Sequence, residues 1–254
     1  MTASETSSAV DSAPLSLKVS DVHVTYRVYQ DVDASLEGFI RRGGRRMVDV
    51  HALNGVSFDV RVGESVGVIG LNGSGKSTLL RTIAGIQPVA SGHVLVRGEA
   101  HLLGIGAALK PLLSGHRNIV LGGLAMGMRR AEIEAKISEV IDFTELHDSI
   151  HRPLNTYSAG MLSRLAFAIA TLRVPDVLLV DEALAVGDVA FRDRSLARLR
   201  ELRAEAASVV LVTHNLDEIR TTCERAIWLD HGEVRADGTT GDVLGEYESS
   251  AGGE

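Results

Sequence analysis

A glycine-rich octapeptide, Gly70–Ser77, constrains this chain more than any other part of its 254 residues. It reads Gly-Leu-Asn-Gly-Ser-Gly-Lys-Ser and follows a short apolar stretch, Ser65–Gly70, that predicts a buried strand. The stretch after it, Lys76–Ala84, predicts a helix. In this arrangement the glycines allow successive backbone N–H groups to turn toward phosphate oxygens, and the helix N-terminus adds partial positive charge. The sequence therefore predicts a loop that binds a triphosphate.

Each residue type in this loop has a predicted part in holding ATP and Mg²⁺. Lys76 reaches the β- and γ-phosphates, and the hydroxyl of Ser77 is a ligand of Mg²⁺. The other predicted nucleotide contacts are donors of the loop and of the first helical turn: Gly70, Asn72, Gly73, Ser74, Gly75 and Thr78. Lys76 is also a candidate catalytic residue because it contacts the phosphate that is transferred.

A second apolar stretch, Val177–Asp181, predicts a buried strand, and with Glu182 two acids stand at its end. In an open α/β sheet ligands gather at the carboxyl ends of the strands, so these acids are placed to act on the triphosphate. Asp181 is suited to hold Mg²⁺, and Glu182 is suited to polarise the attacking water as a general base. The guanine-specific Asn-Lys-x-Asp motif is absent, which disfavours a GTPase. On these two motifs alone, small-molecule kinases remain an alternative.

Three further features stand at fixed places along the chain. Ser158-Ala-Gly160 precedes a predicted helix, His214 follows a predicted strand, and Asp188 follows the acid pair. Each has an ordinary structural explanation, since a serine commonly caps a helix and a histidine after a strand is usually structural. A helix N-terminus with exposed N–H groups is also an anion site, and a histidine at a strand end can contact a γ-phosphate.

The order and spacing of these motifs resemble the ABC ATPases, and the resemblance extends from Leu17 to Tyr247. It implies an α/β fold: a P-loop nucleotide-binding domain with a RecA-like core, an N-terminal antiparallel β subdomain and an inserted α-helical subdomain at about 107–172. It also implies a homodimer in which Ser158 and Gly160 of one copy meet the ATP of the other. In that arrangement His214 contacts the γ-phosphate and Asp188 lies in the loop that crosses the interface.

Two residues are candidates for stacking on the adenine ring. Tyr26 is the first choice and His51 the second, and the sequence does not decide between them.

The predicted ATPase domain spans 15–248, between short tails at 1–14 and 249–254. Within it, 31–50 is predicted to be an amphipathic insert, because four apolar residues recur at helical spacing and four arginines follow them: Val32, Leu36, Phe39, Ile40, Arg41, Arg42, Arg45 and Arg46. This pattern is equally compatible with two interpretations. The insert contacts a membrane partner, the permease, at an anionic leaflet, or it is a solvated charged loop.

Composition limits the partners and the compartment that this chain can have. The net charge of −7 and the aromatic fraction of 4% disfavour a nucleic-acid-binding protein. Cys223 is the only cysteine, so an intramolecular disulfide is impossible and a reducing compartment is compatible. No apolar run approaches the ~20 residues needed to cross a bilayer, so a membrane role requires a partner. We expect a peripheral protein at the cytoplasmic face of the inner membrane.

One departure from the family pattern narrows the resemblance. Most ABC ATPases carry a glutamine in the loop after the third core strand, whereas Leu102–Pro111 has none and the chain's two glutamines, Gln30 and Gln87, lie elsewhere. Together with Tyr-Ser-x-Gly-Met and Leu-Ala-Val-Gly-Asp, this glycine-rich loop resembles the motor subunits that export lipid-linked polysaccharides such as O-antigen, teichoic acid or galactan.

The resemblance implies ATP-driven export through a separate membrane permease, which would recognise the lipid-linked glycan. Three alternatives stay open. They are a transporter ATPase for another cargo (lipid, drug or peptide), a soluble ABC ATPase acting on DNA or the ribosome, and a nucleotide-gated regulator without hydrolysis.

Overall fold

The computed structural model describes residues 13–30, 46–103, 109–181 and 189–251. They form two compact units. The first contains the described residues up to Val96 and from Val212 onwards, and the second contains the described residues of Arg97–Leu211. The phosphate loop and His214 therefore belong to the first unit, whereas Asp181 and Ser158 belong to the second.

Strands and helices alternate along most of the described chain. The strands are β1 (Leu15–Gln30), β2 (Arg46–Arg61), β3 (Ser65–Ile69), β4 (Ser91–Val96), β5 (Ala100–Leu103), β6 (Val177–Asp181), β7 (Ser208–Val212), β8 (Arg225–Asp230) and β9 (Glu233–Thr239). The helices are α1 (Lys76–Ile83), α2 (Gly115–Ala125), α3 (Arg130–Thr144), α4 (Ala159–Ala170), α5 (Val189–Glu205), α6 (Leu216–Thr222) and α7 (Thr240–Ala251).

An antiparallel sheet in the order β2-β1-β4 forms one part of the first unit. Leu17, Val19, Val22 and Val24 of β1 are buried, and the alternation of buried positions shifts by one residue between Val19 and Val22, where the pairing with β2 is irregular. Strand β2 starts at Arg46, because residues 46–50 pair with the end of β1. The last five residues of the predicted insert 31–50 are therefore strand, and 31–45 lie outside the described residues.

The other strands of the first unit are β3, β8 and β9. Strand β3 runs parallel to β8, and β9 returns antiparallel to β8 through a turn at Asp230-His231-Gly232. His231 and Gly232 have φ values of 47° and 83°, the left-handed values that a tight hairpin turn requires. Helix α7 continues to Ala251, so the ordered chain extends past residue 248, where the domain was predicted to end.

The second unit combines the strands β5, β6 and β7 with a group of helices that has its own apolar core. Strand β5 was not predicted because it has only four residues; it pairs in parallel with the buried strand β6. Helices α2, α3 and α4, with 3-10 turns at His147–His151 and Leu154–Thr156, enclose a core that includes Ile119, Ile133, Ile150, Leu154, Leu165 and Ile169. The predicted α/β class with an inserted helical part is confirmed.

No helix within these described ranges is long and apolar enough to span a bilayer.

Candidate functional site

The phosphate loop connects β3 to α1 with three glycines in left-handed conformations. Gly70, Gly73 and Gly75 have φ values of 148°, 83° and 105°. A Cβ at Gly70 would lie 2.1 Å from the Leu229 carbonyl oxygen, and one at Gly75 would lie 2.6 Å from the Ala52 carbonyl oxygen. Side chains are therefore excluded at both ends of the loop, whose backbone packs directly against neighbouring backbone.

Replacing Gly75 with alanine is expected to destabilise the chain by about 1–3 kcal/mol more than replacing Gly63 does, because the new methyl group collides with backbone. Gly63 is a matched control: its φ is 89°, but a Cβ there meets nothing within 4 Å. Urea denaturation of both variants measures the difference in the free energy of unfolding. Equal losses would show that only the positive φ matters.

Lys76 and the start of α1 form the positively charged side of the phosphate loop. The Lys76 Nζ donates to the carbonyl oxygens of Gly70 and Leu71 at 2.7 and 2.8 Å, so the side chain folds back across the loop. Helix α1 has no acidic residue in its first turn and no side chain capping its N-terminus. No side chain therefore competes with an anion at this helix N-terminus.

Two hydroxyls of the loop support the prediction of a phosphate and metal site. The Ser74 Oγ is buried and has no hydrogen-bond partner among the described residues. A buried polar atom without a partner is costly, and a bound phosphate would offer it one. The Ser77 side chain is exposed, and no hydrogen bond occupies its hydroxyl within the described chain. Asn72 is also exposed, on the outer side of the loop. The donors present fit a triphosphate.

The two adenine candidates lie on opposite faces of the β1–β2 hairpin. Tyr26 pairs with Val50 and Thr25 with His51, and successive residues of a strand point to opposite faces. The Tyr26 hydroxyl lies 3.4 Å from the Thr78 hydroxyl of α1, whereas the His51 Nδ1 lies 3.2 Å from the Thr25 hydroxyl. Tyr26 is therefore next to the phosphate-loop helix, and His51 is exposed on the other face.

His214 lies between the end of β7 and the start of α6. The Thr213 hydroxyl accepts a hydrogen bond from the Asn215 N–H, and the Asn215 side chain accepts from the N–H groups of Asp217 and Glu218. The residues on both sides of His214 are thus held by hydrogen bonds. The His214 side chain is exposed.

Asp181 is the last residue of β6, in the second unit. The four aliphatic residues before it are buried, and the carboxylate is half-buried at the strand end. Glu182 and Asp188 lie outside the described residues, as does 104–108 of the loop that lacks a glutamine, so the predictions on these positions stay predictions.

Ser158-Ala-Gly160, which we call the signature segment, lies at the start of α4. The Ser158 Oγ caps the helix by accepting from the Met161 N–H at 3.2 Å. Gly160 is exposed, and a Cβ there would meet only the Ser158 Oγ, at 3.9 Å. Nothing within the described chain therefore requires glycine at this position.

Tyr157 anchors this segment, a role that the sequence did not reveal. Its side chain is buried, and its hydroxyl donates to the Ser149 carbonyl oxygen at 2.6 Å. Burial raises the pKa of Tyr157. A Cβ at Gly115 would lie 2.5 Å from the Tyr157 hydroxyl, so the start of α2 needs a glycine there. Contact across 42 residues left no local signal that could have indicated it.

Comparison with known proteins agrees with this geometry. Residues 53–185, more than half of the chain, match the family described as ABC transporter. A teichoic acids export ATP-binding protein of Listeria monocytogenes is 39% identical over 91% of this chain and 70% of its own length. An O-antigen export system ATP-binding protein of Myxococcus xanthus is 44% identical over 82% of this chain and 49% of its own length.

Solved structures share the fold. The ATP-binding subunit of an ABC transporter superposes with a TM-score of 0.68 at 24% identity, covering 91% of this chain and 93% of that one. A dimeric ATP-binding cassette with ADP and phosphate in a post-hydrolysis state gives 0.65 at 24% identity, covering 88% and 98%. The solved structures agree with the family match and with the alignment to the Listeria protein over most of both chains, and the chain belongs to the ABC transporter family.

Proposed function

We propose that this ATPase drives the export of a lipid-linked polysaccharide across the cytoplasmic membrane through a separate permease. The observation that carries the proposal is the identity of 38–44% to ATP-binding proteins named for teichoic acid and O-antigen export. The teichoic acid and O-antigen relatives share a cargo class, a glycan, rather than one molecule. We therefore propose the class and not a particular glycan.

The triphosphate is proposed to lie in the phosphate loop. Its oxygens take the N–H groups of Gly73 and Gly75, and the buried Ser74 hydroxyl gains a partner. The Lys76 ammonium exchanges its two loop carbonyls for phosphate oxygens, which are stronger, charge-assisted acceptors. Tyr26 stacks on the adenine ring, with His51 as the second candidate.

The Ser77 hydroxyl and the Asp181 carboxylate are the proposed Mg²⁺ ligands. Hydroxyl and carboxylate oxygens are the hard donors that Mg²⁺ prefers, and the exposed Ser77 hydroxyl fits this role. The bound ion would neutralise charge on the phosphates. Glu182 holds and polarises the attacking water, and His214 contacts the γ-phosphate.

Two copies of the chain are proposed to close head to tail on two ATP molecules. Ser158 and Gly160 of each copy then approach the triphosphate held by the other. The open surroundings of Gly160 and the absence of acid in the first turn of α4 support this arrangement. The dimer would sit on the permease at the cytoplasmic face of the inner membrane.

The experiment is to purify the Glu182→Gln variant by affinity from native membranes with ATP and to identify the protein and lipid that accompany it. We expect a multi-helix membrane protein and a polyprenyl-linked glycan. Purification of wild type without nucleotide is the control, since the closed state should then be lost. Recovery of a permease with another lipid, a drug or a peptide would contradict the proposed cargo but not the proposed transport. Recovery of only soluble proteins, ribosomes or nucleic acid would contradict transport and leave the ATPase assignment intact.

A further inference from the structure

Glu145, the residue that follows α3, has a backbone conformation that glycine adopts at least cost. Its φ and ψ are 57° and 30°, one of three positive φ values among the described non-glycine residues. A helix commonly ends in this conformation, but with glycine or asparagine there. A glutamate held in this region indicates that its side chain has a role.

The Glu145 carboxylate is bound by arginines from two other helices. The Arg164 guanidinium of α4 donates to Oε2 at 2.8 Å, and the Arg194 guanidinium of α5 lies 3.0 Å from Oε1. Each oxygen thus has its own partner. Arg194 and Arg164 together hold the pKa of Glu145 below its usual range.

Aromatic rings pack beneath these charges. The guanidinium carbons of Arg164 and Arg194 lie 5.4 and 5.6 Å from the centre of the buried Phe191 ring, within range of cation–π attraction. Phe191 contacts Phe143 and Phe167 edge-on at 5.2 and 6.0 Å. We call this group the three-helix junction: Phe143, Glu145, Arg164, Phe167, Phe191 and Arg194.

The junction connects the helix that begins at the signature segment with the helix that follows Asp181. Helix α4 begins at the signature segment, and Arg164 is six residues after Ser158, about 9 Å along the helix. Helix α5 starts eight residues after Asp181, and Arg194 is in its second turn. Glu145 thus ties the helix that presents Ser158 and Gly160 to the helix that follows the metal ligand.

We propose that the three-helix junction couples the two ATP sites of the dimer. In the head-to-tail arrangement Asp181 serves the chain's own ATP, whereas Ser158 and Gly160 serve the partner's, so one subunit contributes to both sites. A displacement of α5 when one site changes state is carried through Arg194 and Glu145 to Arg164 and the start of α4. The inference rests on the dimer in the proposed function. Glu145 acts in it as a positioning residue.

Coupling of this kind needs a contact that is rigid enough to transmit a displacement. Aromatic packing alone is tolerant of sliding, whereas a carboxylate held by a different arginine at each oxygen fixes both distance and direction. Loss of the carboxylate should therefore uncouple the helices without unfolding them.

The test is the Glu145→Gly variant. Glycine adopts this φ without strain, so relief of backbone strain offsets part of the lost arginine contacts and the variant should fold, which a cooperative thermal transition verifies. ATP hydrolysis is measured against ATP concentration on the full chain, with its membrane partner where one copurifies. We expect a Hill coefficient of about 1.5–2 for wild type and about 1 for the variant.

Glu132→Gln is the matched control. Glu132 also pairs with an arginine, Arg129, and its pKa is also lowered, but both residues belong to the start of α3 and no second helix is involved. The control should keep the wild-type Hill coefficient. Glu145→Gln, which keeps the size of the side chain, should resemble Glu145→Gly.

A folded Glu145→Gly variant with the wild-type Hill coefficient would overturn the inference, and so would a wild-type coefficient of about 1. Equal loss of cooperativity in Glu132→Gln would assign the effect to surface charge. These outcomes are separate from the export proposal, which fails if no membrane protein copurifies even though the Hill coefficients are still measurable. A chain that hydrolyses ATP as a monomer would contradict the dimer and the coupling together.

Discussion

Replacing Glu182 with glutamine is expected to lower ATP turnover by about 10²–10⁴-fold while leaving ATP binding nearly unchanged, because a general base acts in the chemical step. Glutamine has almost the same size, so it can stay beside the attacking water, but it cannot accept the proton. Phosphate release in the steady state measures turnover, and equilibrium titration measures binding. The variant should also trap the closed dimer, which makes it the bait of choice for the membrane partner.

Glu139→Gln is the control for the change of charge, since Glu139 is an exposed residue of α3 away from the predicted site. It should turn over at the wild-type rate. If Glu182→Gln also does so, Glu182 is not the base, and another acid near the triphosphate must be sought.

Replacing Lys76 with alanine is expected to weaken nucleotide binding by about 10²-fold or more. Each hydrogen bond to a charged group contributes about 1.5–3 kcal/mol, and the ammonium has several donors. Trp228, the only tryptophan, provides the measurement: it pairs with Ile69, directly before the loop, and the next carbonyl, Leu229, packs on Gly70. Nucleotide should change its fluorescence in wild type and not in the variant.

Lys18→Ala is the matched control, because Lys18 is an exposed lysine of β1 in the same unit. It should bind nucleotide as wild type does. Tight nucleotide binding by Lys76→Ala would contradict the proposed contact between Lys76 and the phosphates. Unfolding of the variant is not expected, because water can replace the Lys76 ammonium at the carbonyl oxygens of Gly70 and Leu71.

The sequence by itself determined the parts of this protein whose residues are contiguous. The phosphate loop is eight successive residues, and its function follows from glycine backbone freedom and one helix N-terminus. The acid at the end of β6 and the serine cap of α4 are equally local. The structure confirmed each of these elements within two residues.

Pairing across strands decided what local pattern could not. Residues 46–50 follow an arginine-rich stretch and were predicted to be part of an insert, yet they are strand because the end of β1 pairs with them. The orientations of Tyr26 and His51 depend on the same register, which points the Tyr26 side chain at α1 and the His51 side chain away from it. Neither result is available from a window of neighbouring residues.

Only the tertiary structure revealed the groups that hold the helices together. Tyr157 contacts Ser149 and Gly115, and Glu145 meets arginines 19 and 49 residues further along the chain. A surface glutamate and two arginines carry no periodicity and no motif, so their meeting depends wholly on how α3, α4 and α5 pack. The phosphate-binding loop could be predicted from one short segment, because the backbone of neighbouring residues forms it. The proposed coupling between ATP sites could not be predicted, because side chains distant in sequence form the contacts that carry it.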